Sequence, residues 1–217
     1  MNEIAMASAR PLDSEAHLLV FARVPALGKV KSRLAAGVGA PAALAVYHEL
    51  LTITRRAIAE AGLPATVWLA DTAGQLPTAR ESQEWPGFTA RCQPTGDLGE
   101  RMAASFAAAF AVGAKRVAII GTDCPGLGAA HLTQAIELLR EHDVVLGPAT
   151  DGGYYLLGLR QPRPELFRDK RWSTDSVLAD TLADAQRLGL RVALLPELRD
   201  VDTADDLAAW RATAPQS

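Results

Sequence analysis

The segment Val117-Ala-Ile-Ile-Gly-Thr-Asp-Cys-Pro-Gly-Leu127 changes within a few residues from an apolar run typical of a buried strand to a polar turn. The rest of the predicted fold is arranged around this segment. Its β-branched first half is typical of a central parallel strand with helices on both faces. Pro125 and Gly126 end such a strand. Because ligands of open α/β sheets bind beyond the carboxyl ends of the strands, Asp123 is predicted to face a ligand crevice. There its carboxylate would hold a divalent cation together with nucleotide phosphates, or it would cap the turn by bonding its own backbone.

Composition points to an ordinary globular protein. The chain has 217 residues and a formal net charge of -3, which gives no general attraction to nucleic acid or to an anionic membrane. Its longest apolar runs have the length of strands, below the ~20 residues needed to cross a bilayer. The first residues lack the apolar stretch of a secretory signal, and the two cysteines, Cys92 and Cys124, make no disulfide framework. We therefore expect a cytoplasmic protein with one domain over residues 16–212 and flexible tails over 1–15 and 213–217, without nucleic-acid or membrane partners. The oligomeric state stays open.

Strand-like and helix-like segments alternate along the chain, which indicates an α/β fold. The predicted strands are His17–Arg23, Thr66–Ala70, Phe88–Gln93, Val117–Ile120, Asp143–Ala149, Tyr154–Leu159 and Leu190–Leu195. The predicted helices are Pro41–Ala61, an alanine-rich helix that follows Asp97 and reaches Gly113, His131–Glu141, Val177–Leu188 and a terminal helix that reaches Trp210. Because Thr150–Gly153 is too short for a crossover helix, the fifth and sixth strands should run antiparallel and make the sheet mixed.

A basic loop follows the first strand. Arg23, Lys29, Lys31 and Arg33 lie within eleven residues, and Gly28 is free to bring the backbone close to a ligand. A first strand-to-helix turn of this kind suits phosphate, because backbone amides and cations meet there. The loop matches neither the Walker pattern nor the dinucleotide fingerprint, so a solvated basic loop is the alternative.

A second candidate for nucleotide binding begins the alanine-rich helix. Asp97 and Glu100 have the spacing of a helix cap with its reciprocal partner. The exposed helix start also carries Gly96, Gly99 and Arg101, beside which a nucleotide could lie. These residues could cap the helix, bind a nucleotide or do both.

Two further acidic positions have structural and functional interpretations. Asp151-Gly152-Gly153 has the residue types of a hairpin turn, and it would open beside Asp123 if the strands are ordered as predicted. Asp202, with Asp205 three residues later, resembles a helix cap, but a carboxylate at this strand-to-helix junction could equally be a metal ligand.

Trp172 and Ser173 precede the Val177–Leu188 helix. Trp172 could fill the core or offer a face on which a base or sugar stacks. Ser173 is a plausible cap for the helix.

Read together, the loop Phe21-Ala-Arg-Val-Pro-Ala-Leu-Gly-Lys-Val-Lys-Ser-Arg-Leu34 and Gly121-Thr-Asp-Cys-Pro125 resemble a known group. It is the glycosyltransferase-like bacterial family once filed under unknown function, within the nucleotide-diphospho-sugar transferase superfamily. The resemblance extends in order over nearly the whole chain, through Gly96–Met102, Gly147–Tyr155, Trp172–Thr174 and Asp200–Thr203. Some members of the family are associated with arsenosugar biosynthesis, an association that needs genomic context before it is transferred.

The resemblance implies a GT-A fold, a Rossmann-like three-layer α/β/α arrangement with a mixed, mostly parallel sheet. Such a fold binds a nucleotide over its amino-terminal half, with Mg²⁺ or Mn²⁺ beside it. By position, Asp123 matches the metal aspartate and Asp202 matches the second metal ligand. The segment Arg23–Arg33 matches the phosphate-binding loop, and Asp151–Tyr155 borders the acceptor pocket. The expected acceptor-pocket residues are Gly152, Gly153, Tyr154, Trp172 and Ser173.

The chain departs from the family pattern at three positions. Arg23 replaces a lysine and Leu27 replaces a proline of the loop motif. Cys124 follows Asp123, so this position lacks an Asp-x-Asp pair, and Asp202 or phosphate must complete the metal site.

Three functions follow from these residues. The first is a metal-dependent glycosyltransferase that moves a sugar from a nucleotide-diphospho-sugar to a small-molecule acceptor, with Asp151 orienting or deprotonating the acceptor hydroxyl. The second is a nucleotidyltransferase of the guanylyltransferase kind, because the three cations Lys29, Lys31 and Arg33 suit a triphosphate. The third is a nucleotide-binding module without turnover.

Overall fold

The computed structural model describes residues 15–70 and 77–213. Apart from their innermost residues, the two predicted tails lie outside the described residues. The strands are β1 (Ala16–Arg23), β2 (Ala65–Ala70), β3 (Thr89–Cys92), β4 (Arg116–Ile120), β5 (Val144–Pro148), β6 (Tyr154–Leu159) and β7 (Val192–Leu194). The α-helices are α1 (Ser32–Val38), α2 (Ala40–Ala61), α3 (Ala79–Ser82), α4 (Leu98–Ala111), α5 (Ala129–Leu138), α6 (Val177–Arg187) and α7 (Ala204–Thr213), and a short 3₁₀ helix spans Pro164–Phe167.

All seven predicted strands are confirmed, with ends that differ by one or two residues. The sequence did not predict α1, α3 or the 3₁₀ helix. These elements are four to seven residues long, too short to show a helical period of apolar residues.

The strands form one sheet in the order β3-β2-β1-β4-β6-β5-β7. β1 pairs in parallel with β2 and β4, and β7 pairs in parallel with β5. β6 runs antiparallel to both of its neighbours, β4 and β5, which confirms the prediction for the short Thr150–Gly153 connection. The sheet is therefore mixed and mostly parallel, as predicted for the fold class.

Helices cover both faces of the sheet. On one face, α2 and α5 contribute Leu51, Ile58 and Leu132 to a core shared with Val20 and Ile120. On the other face the apolar partners come from α4, α6 and the 3₁₀ helix, including Met102, Phe106, Leu166 and Ala185. Because β4 is covered on both sides, its apolar run is continuous, and polar residues begin only where the strand ends.

The helix ends test the capping predictions. Gly62 ends α2 in a left-handed conformation, and Asp97 and Glu100 form the predicted reciprocal cap of α4. Ser173 does not cap α6, because the N-cap position belongs to Ser176, which makes no capping hydrogen bond.

The predicted cap of the terminal helix is also wrong. Thr203 and Asp206 make the reciprocal bonds at the start of α7, in place of Asp202 and Asp205. The shift by one residue leaves the carboxylate of Asp202 free for other partners.

A third apolar cluster joins α1, α2 and the start of α7 through Leu34, Leu50 and Val201. Gly37 makes the close approach possible, because a Cβ atom there would lie 2.7 Å from the Cβ of Ala204. The cluster therefore holds α1 beside the start of α7. No helix within residues 15–70 and 77–213 combines the length and apolar character required to span a membrane.

Candidate active site

A cavity of about 750 Å³ opens at the carboxyl ends of β1 and β4, where the sheet position predicts a ligand crevice. The sequence-predicted residues that line it are Arg23, Lys31, Arg33, Arg101, Asp123, Asp151, Gly153, Tyr154, Trp172, Ser173 and Asp202. The remaining predicted residues do not line the cavity; they are Gly28, Lys29, Gly96, Asp97, Gly99 and Gly152. The structure therefore brings most of the basic, acidic and aromatic candidates to one place.

Lys31 lies between the two predicted metal ligands. Its ammonium contacts Oδ1 of Asp123 and lies 2.9 Å from Oδ1 of Asp202. Arg33 donates to the other carboxylate oxygen of Asp202. The side chain of Lys31 is only 4% exposed, whereas those of Asp123 and Asp202 are 49% and 25% exposed. The two acids thus converge on one point, and a cation of the protein occupies that point.

The ion pairs shift the proton equilibria of this cluster. Burial alone would lower the pKa of Lys31, but the carboxylates of Asp123 and Asp202 outweigh it and raise the pKa above its ordinary value. For Asp202, burial alone would raise the pKa, but Lys31 and Arg33 hold it below the usual range. Lys31 and Asp202 therefore both favour their charged forms.

Backbone contacts bring the two acids together. The Val201 N–H donates to the carbonyl oxygen of Asp123 at 2.9 Å, which ties the segment before α7 to the end of β4. Because Thr203 and Asp206 cap α7, Asp202 can point toward Lys31. The distance between the acids is thus set by main-chain bonds as well as by the lysine.

Tyr47 fixes the start of the basic loop. Its hydroxyl accepts from the Arg23 N–H at 2.9 Å and donates to the Arg23 carbonyl oxygen at 3.0 Å. Burial raises the pKa of Tyr47 to about 12, so the hydroxyl stays protonated and can make both bonds. The predicted phosphate-binding Arg23 therefore begins its loop from a fixed backbone position.

Gln93 organises the end of the cavity near β2 and β3. Its amide donates to the carbonyl oxygens of Ala22 at 3.4 Å and Trp68 at 3.1 Å, and its side-chain oxygen accepts from Arg101 at 2.8 Å. Arg101 also donates to the Asp97 carbonyl oxygen at 3.2 Å. The guanidinium group is thus oriented by two acceptors while it lines the cavity.

Asp151 belongs to the turn between β5 and β6. Its Oδ1 accepts from the Gly153 N–H at 2.8 Å, a bond that fits the predicted hairpin turn. The exposed Asp151 carboxylate also lines the cavity, together with Asp200. Burial, followed by the nearby charge of Asp151, raises the pKa of Asp200 to about 6. This side of the cavity therefore carries two carboxylates close enough for the charge of Asp151 to act on Asp200.

Trp172 packs in the core and also lines the cavity, while the stacking of a base or sugar on it stays a prediction. Its ring stacks on Phe167 with centroids 6.5 Å apart. Gly99 allows this packing, because a Cβ atom there would lie 2.6 Å from Nε1 of Trp172. Gly99 thus supports the cavity wall from behind. Ser173, next in the chain, lines the cavity with a left-handed φ of 63°, a strained conformation that often accompanies functional sites.

Asp123 and Asp202 have the chemistry to hold a divalent cation, since hard carboxylate oxygens converge where Lys31 places its positive charge. Within the described ranges, no three His, Cys, Asp or Glu side chains are grouped to hold a metal by themselves. Two carboxylates still fit Mg²⁺, because this ion usually takes its other ligands from water and substrate phosphates.

Tyr47, Gln93 and Asp200 are among the cavity residues that sequence reasoning missed. Tyr47 lies at a helical core position, and Gln93 carries no charge that would mark it as a candidate. Asp200 had a usable signal, because it precedes Asp202 by two residues at the same strand-to-helix junction.

Comparison with known proteins agrees with this geometry. The family model described as an uncharacterized protein conserved in bacteria (DUF2064) matches residues 53–174. A phosphoenolpyruvate guanylyltransferase from Chloroflexus aurantiacus is 28% identical over 173 residues, which cover 76% of this chain and 78% of that protein. This relative is a nucleotidyltransferase by its description.

Solved structures give a similar result. A provisionally assigned nucleotide-diphospho-sugar transferase from Desulfovibrio desulfuricans G20 superposes with a TM-score of 0.87 and 32% identity, covering 94% of this chain and 90% of that one. An inositol-1-phosphate CTP transferase from T. maritima shares the fold, with a TM-score of 0.59 and 13% identity over 88% of this chain and 90% of its own. The fold is thus that of the GT-A-like nucleotidyl- and glycosyltransferases, and the chain belongs to the bacterial family DUF2064.

Proposed function

We propose that the protein is a nucleotidyltransferase, which moves a nucleoside monophosphate from a nucleoside triphosphate to an anionic oxygen of a small-molecule acceptor. The proposal rests on one observation: in the cavity, Lys31 forms ion pairs with Asp123 and Asp202, and Arg33 forms an ion pair with Asp202. Cations and metal-binding acids at one point are what a triphosphate requires, because its charge must be offset on several oxygens. Arg23 lines the same cavity and would add to this charge.

Mg²⁺ or Mn²⁺ held by Asp123 and Asp202 would offset the charge of the phosphates and of the departing group. Lys31, Arg33 and Arg23 would bind and orient the phosphate chain from the side of the basic loop. The acceptor would enter past Trp172 and Ser173, on the side of the cavity that also carries Asp151.

The proposed reaction is a displacement at the α-phosphorus of the nucleoside triphosphate. An acceptor phosphate or carboxylate oxygen bonds to the α-phosphorus, and the bond from that phosphorus to the bridging oxygen of the β-phosphate breaks. Pyrophosphate leaves with the electron pair of the broken bond. An acceptor that is already ionised needs no general base, so the protein's task is to position the reactants and to offset charge.

The descriptions of relatives narrow the substrates to test. The Chloroflexus aurantiacus protein is described as a guanylyltransferase acting on phosphoenolpyruvate, and the T. maritima protein as a CTP transferase acting on inositol 1-phosphate. GTP and CTP are therefore the first donors to test, and small phosphate-bearing compounds such as phosphoenolpyruvate are the first acceptors.

Glycosyl transfer is the second candidate, favoured by the description of the Desulfovibrio desulfuricans structure and by Asp151 in the cavity. A sugar acceptor attacks through a neutral hydroxyl, which benefits from a carboxylate that accepts its proton. Asp151→Asn should then lower turnover by about a hundredfold while donor affinity stays nearly intact. In nucleotidyl transfer to an ionised acceptor, the same variant should keep its turnover.

The deciding experiment measures pyrophosphate release. Purified protein is incubated with Mg²⁺ or Mn²⁺, each common nucleoside triphosphate and a panel of phosphorylated acceptors, with Asp123→Asn as the matched control. Acceptor-dependent pyrophosphate that disappears in the Asp123→Asn variant is the expected result. A second panel replaces the triphosphates with nucleotide sugars, and release of a nucleoside diphosphate there, without pyrophosphate release on the first panel, would favour glycosyl transfer. Tight nucleotide binding with no turnover on either panel would instead support the nucleotide-binding module without turnover.

A further inference from the structure

We propose that Lys31 competes with the divalent cation for Asp123 and Asp202, and passes from these acids to the nucleotide phosphates when metal and nucleotide bind together. The inference rests on the function proposed above and concerns the same site. It makes Lys31 a positioning residue whose partner differs between the empty and the loaded protein.

The first support is the position of the ammonium group. Lys31 contacts one oxygen of Asp123 and one of Asp202, and its side chain is 4% exposed. A buried ammonium without partners would be costly, so these two acids are what keeps the lysine in place. A dication that used the same two oxygens would have to move it.

The second support is the charge of the cluster. Asp123 and Asp202 carry two negative charges, and Lys31 and Arg33 carry two positive charges, so the four groups cancel. A dication that arrives alone therefore finds no net negative charge on these four groups. A nucleoside triphosphate brings the missing negative charge and offers Lys31 new oxygen partners, so each ligand should strengthen the binding of the other.

The third support is the backbone around the lysine. Lys31 has a left-handed conformation, with φ 51° and ψ 49°, directly before α1. This conformation strains a residue other than glycine, so the ion pairs must offset the strain. Gly28 precedes it with φ 73°, and a Cβ atom there would meet nothing within 4 Å. The loop therefore has space in which to change course when Lys31 leaves the acids.

The test measures Mn²⁺ binding by electron paramagnetic resonance, which needs no turnover, and the Mn²⁺ that the analogue binds in a protein-free titration is subtracted. The full-length wild type, Lys31→Met and Lys115→Met are titrated with Mn²⁺ alone and with Mn²⁺ plus the α,β-methylene analogues of GTP or CTP. Lys115 is the matched control, because it is an exposed lysine paired with Glu15 at the opposite end of β4. Circular dichroism checks that each variant is folded.

In the wild type, the analogue should raise Mn²⁺ affinity about tenfold or more, within the usual range of coupling between two ligands. Lys31→Met should bind Mn²⁺ alone about tenfold more tightly than the wild type and should lose most of the coupling, whereas Lys115→Met should match the wild type. Equal Mn²⁺ affinities in Lys31→Met and the wild type would overturn the competition and leave the proposed function standing.

If Lys31→Met does not fold, the Mn²⁺ titrations of the wild type test the inference without it. Mn²⁺ that binds equally well with and without the nucleotide analogue would then overturn the inference. Absence of Mn²⁺ binding under every condition would overturn both the inference and the metal-dependent function, so the two failures are distinguishable.

Discussion

Gly99→Ala separates two roles for the glycine at the start of α4. If this glycine only lets a nucleotide approach the helix, alanine should stabilise the free protein, because alanine favours a helix over glycine by about 1 kcal/mol. The packing predicts the opposite. A Cβ atom would lie 2.6 Å from the Phe167 carbonyl oxygen and 2.6 Å from Nε1 of Trp172.

The magnitude follows from what would have to move. The Phe167 oxygen belongs to the backbone, and Trp172 is stacked on the Phe167 ring, so neither neighbour can simply rotate away. Overpacking against such neighbours costs about 3 kcal/mol, and helix propensity returns about 1 kcal/mol. The net loss of about 2 kcal/mol corresponds to a fall in Tm of roughly 4–8 °C for a protein of this size.

Urea unfolding followed by far-UV circular dichroism measures this loss, and Ala107→Gly provides the control. Ala107 is exposed in the same helix, so its replacement should cost the propensity of about 1 kcal/mol without any clash. Because Trp172 lines the cavity, Gly99→Ala should also weaken the binding of cavity ligands. A Gly99→Ala variant as stable as the wild type, or more stable, would refute the packing argument.

Three further substitutions test single contacts. Asp97→Ala removes the acceptor of the Glu100 N–H and should lower the free energy of unfolding by about 1 kcal/mol, with Asp97→Asn closer to the wild type; an unchanged Tm would exclude this cap. Ser105 is fully buried, and its hydroxyl has no hydrogen-bond partner among the described residues, so Ser105→Ala should raise the free energy of unfolding by about 1 kcal/mol. A lower free energy of unfolding would reveal a partner. The Arg191 N–H lowers the pKa of Asp143, so its stabilisation is complete above the ordinary carboxyl pKa and is lost as the pH falls through the lowered folded value. Asp143→Asn should therefore cost stability at about pH 6 and progressively less as the pH falls below about 4, the ordinary carboxyl pKa. A cost that does not change with pH would contradict this assignment.

Local patterns predicted the elements of this fold well. Strand runs and the Asp97–Glu100 cap depend on neighbours in sequence, and the structure has them as expected. Where two local choices competed, tertiary contacts decided between them. Asp202 could have capped α7, but Lys31 holds its carboxylate and Thr203 takes the capping position.

The arrangement of the site could be predicted only in part. The resemblance to a family placed Asp123 and Asp202 together, and the structure has them on one lysine. The contact between Lys31 and Asp202 spans 171 positions in the chain, and no local periodicity encodes a pairing of that range. Gln93 was missed for the same reason, since its task is to bind carbonyl oxygens of two other strands.

The backbone hydrogen bond between Val201 and Asp123 determines when the pocket can form during protein synthesis. A ribosome delivers all seven strands before it delivers Asp202, because this acid follows β7. A nascent polypeptide can therefore bury most of its sheet while one side of the pocket is still inside the exit tunnel. The proposed cation site would thus be complete only after β7 has been made, and a chain truncated before Val201 would keep the residues of its strands but lack Asp202.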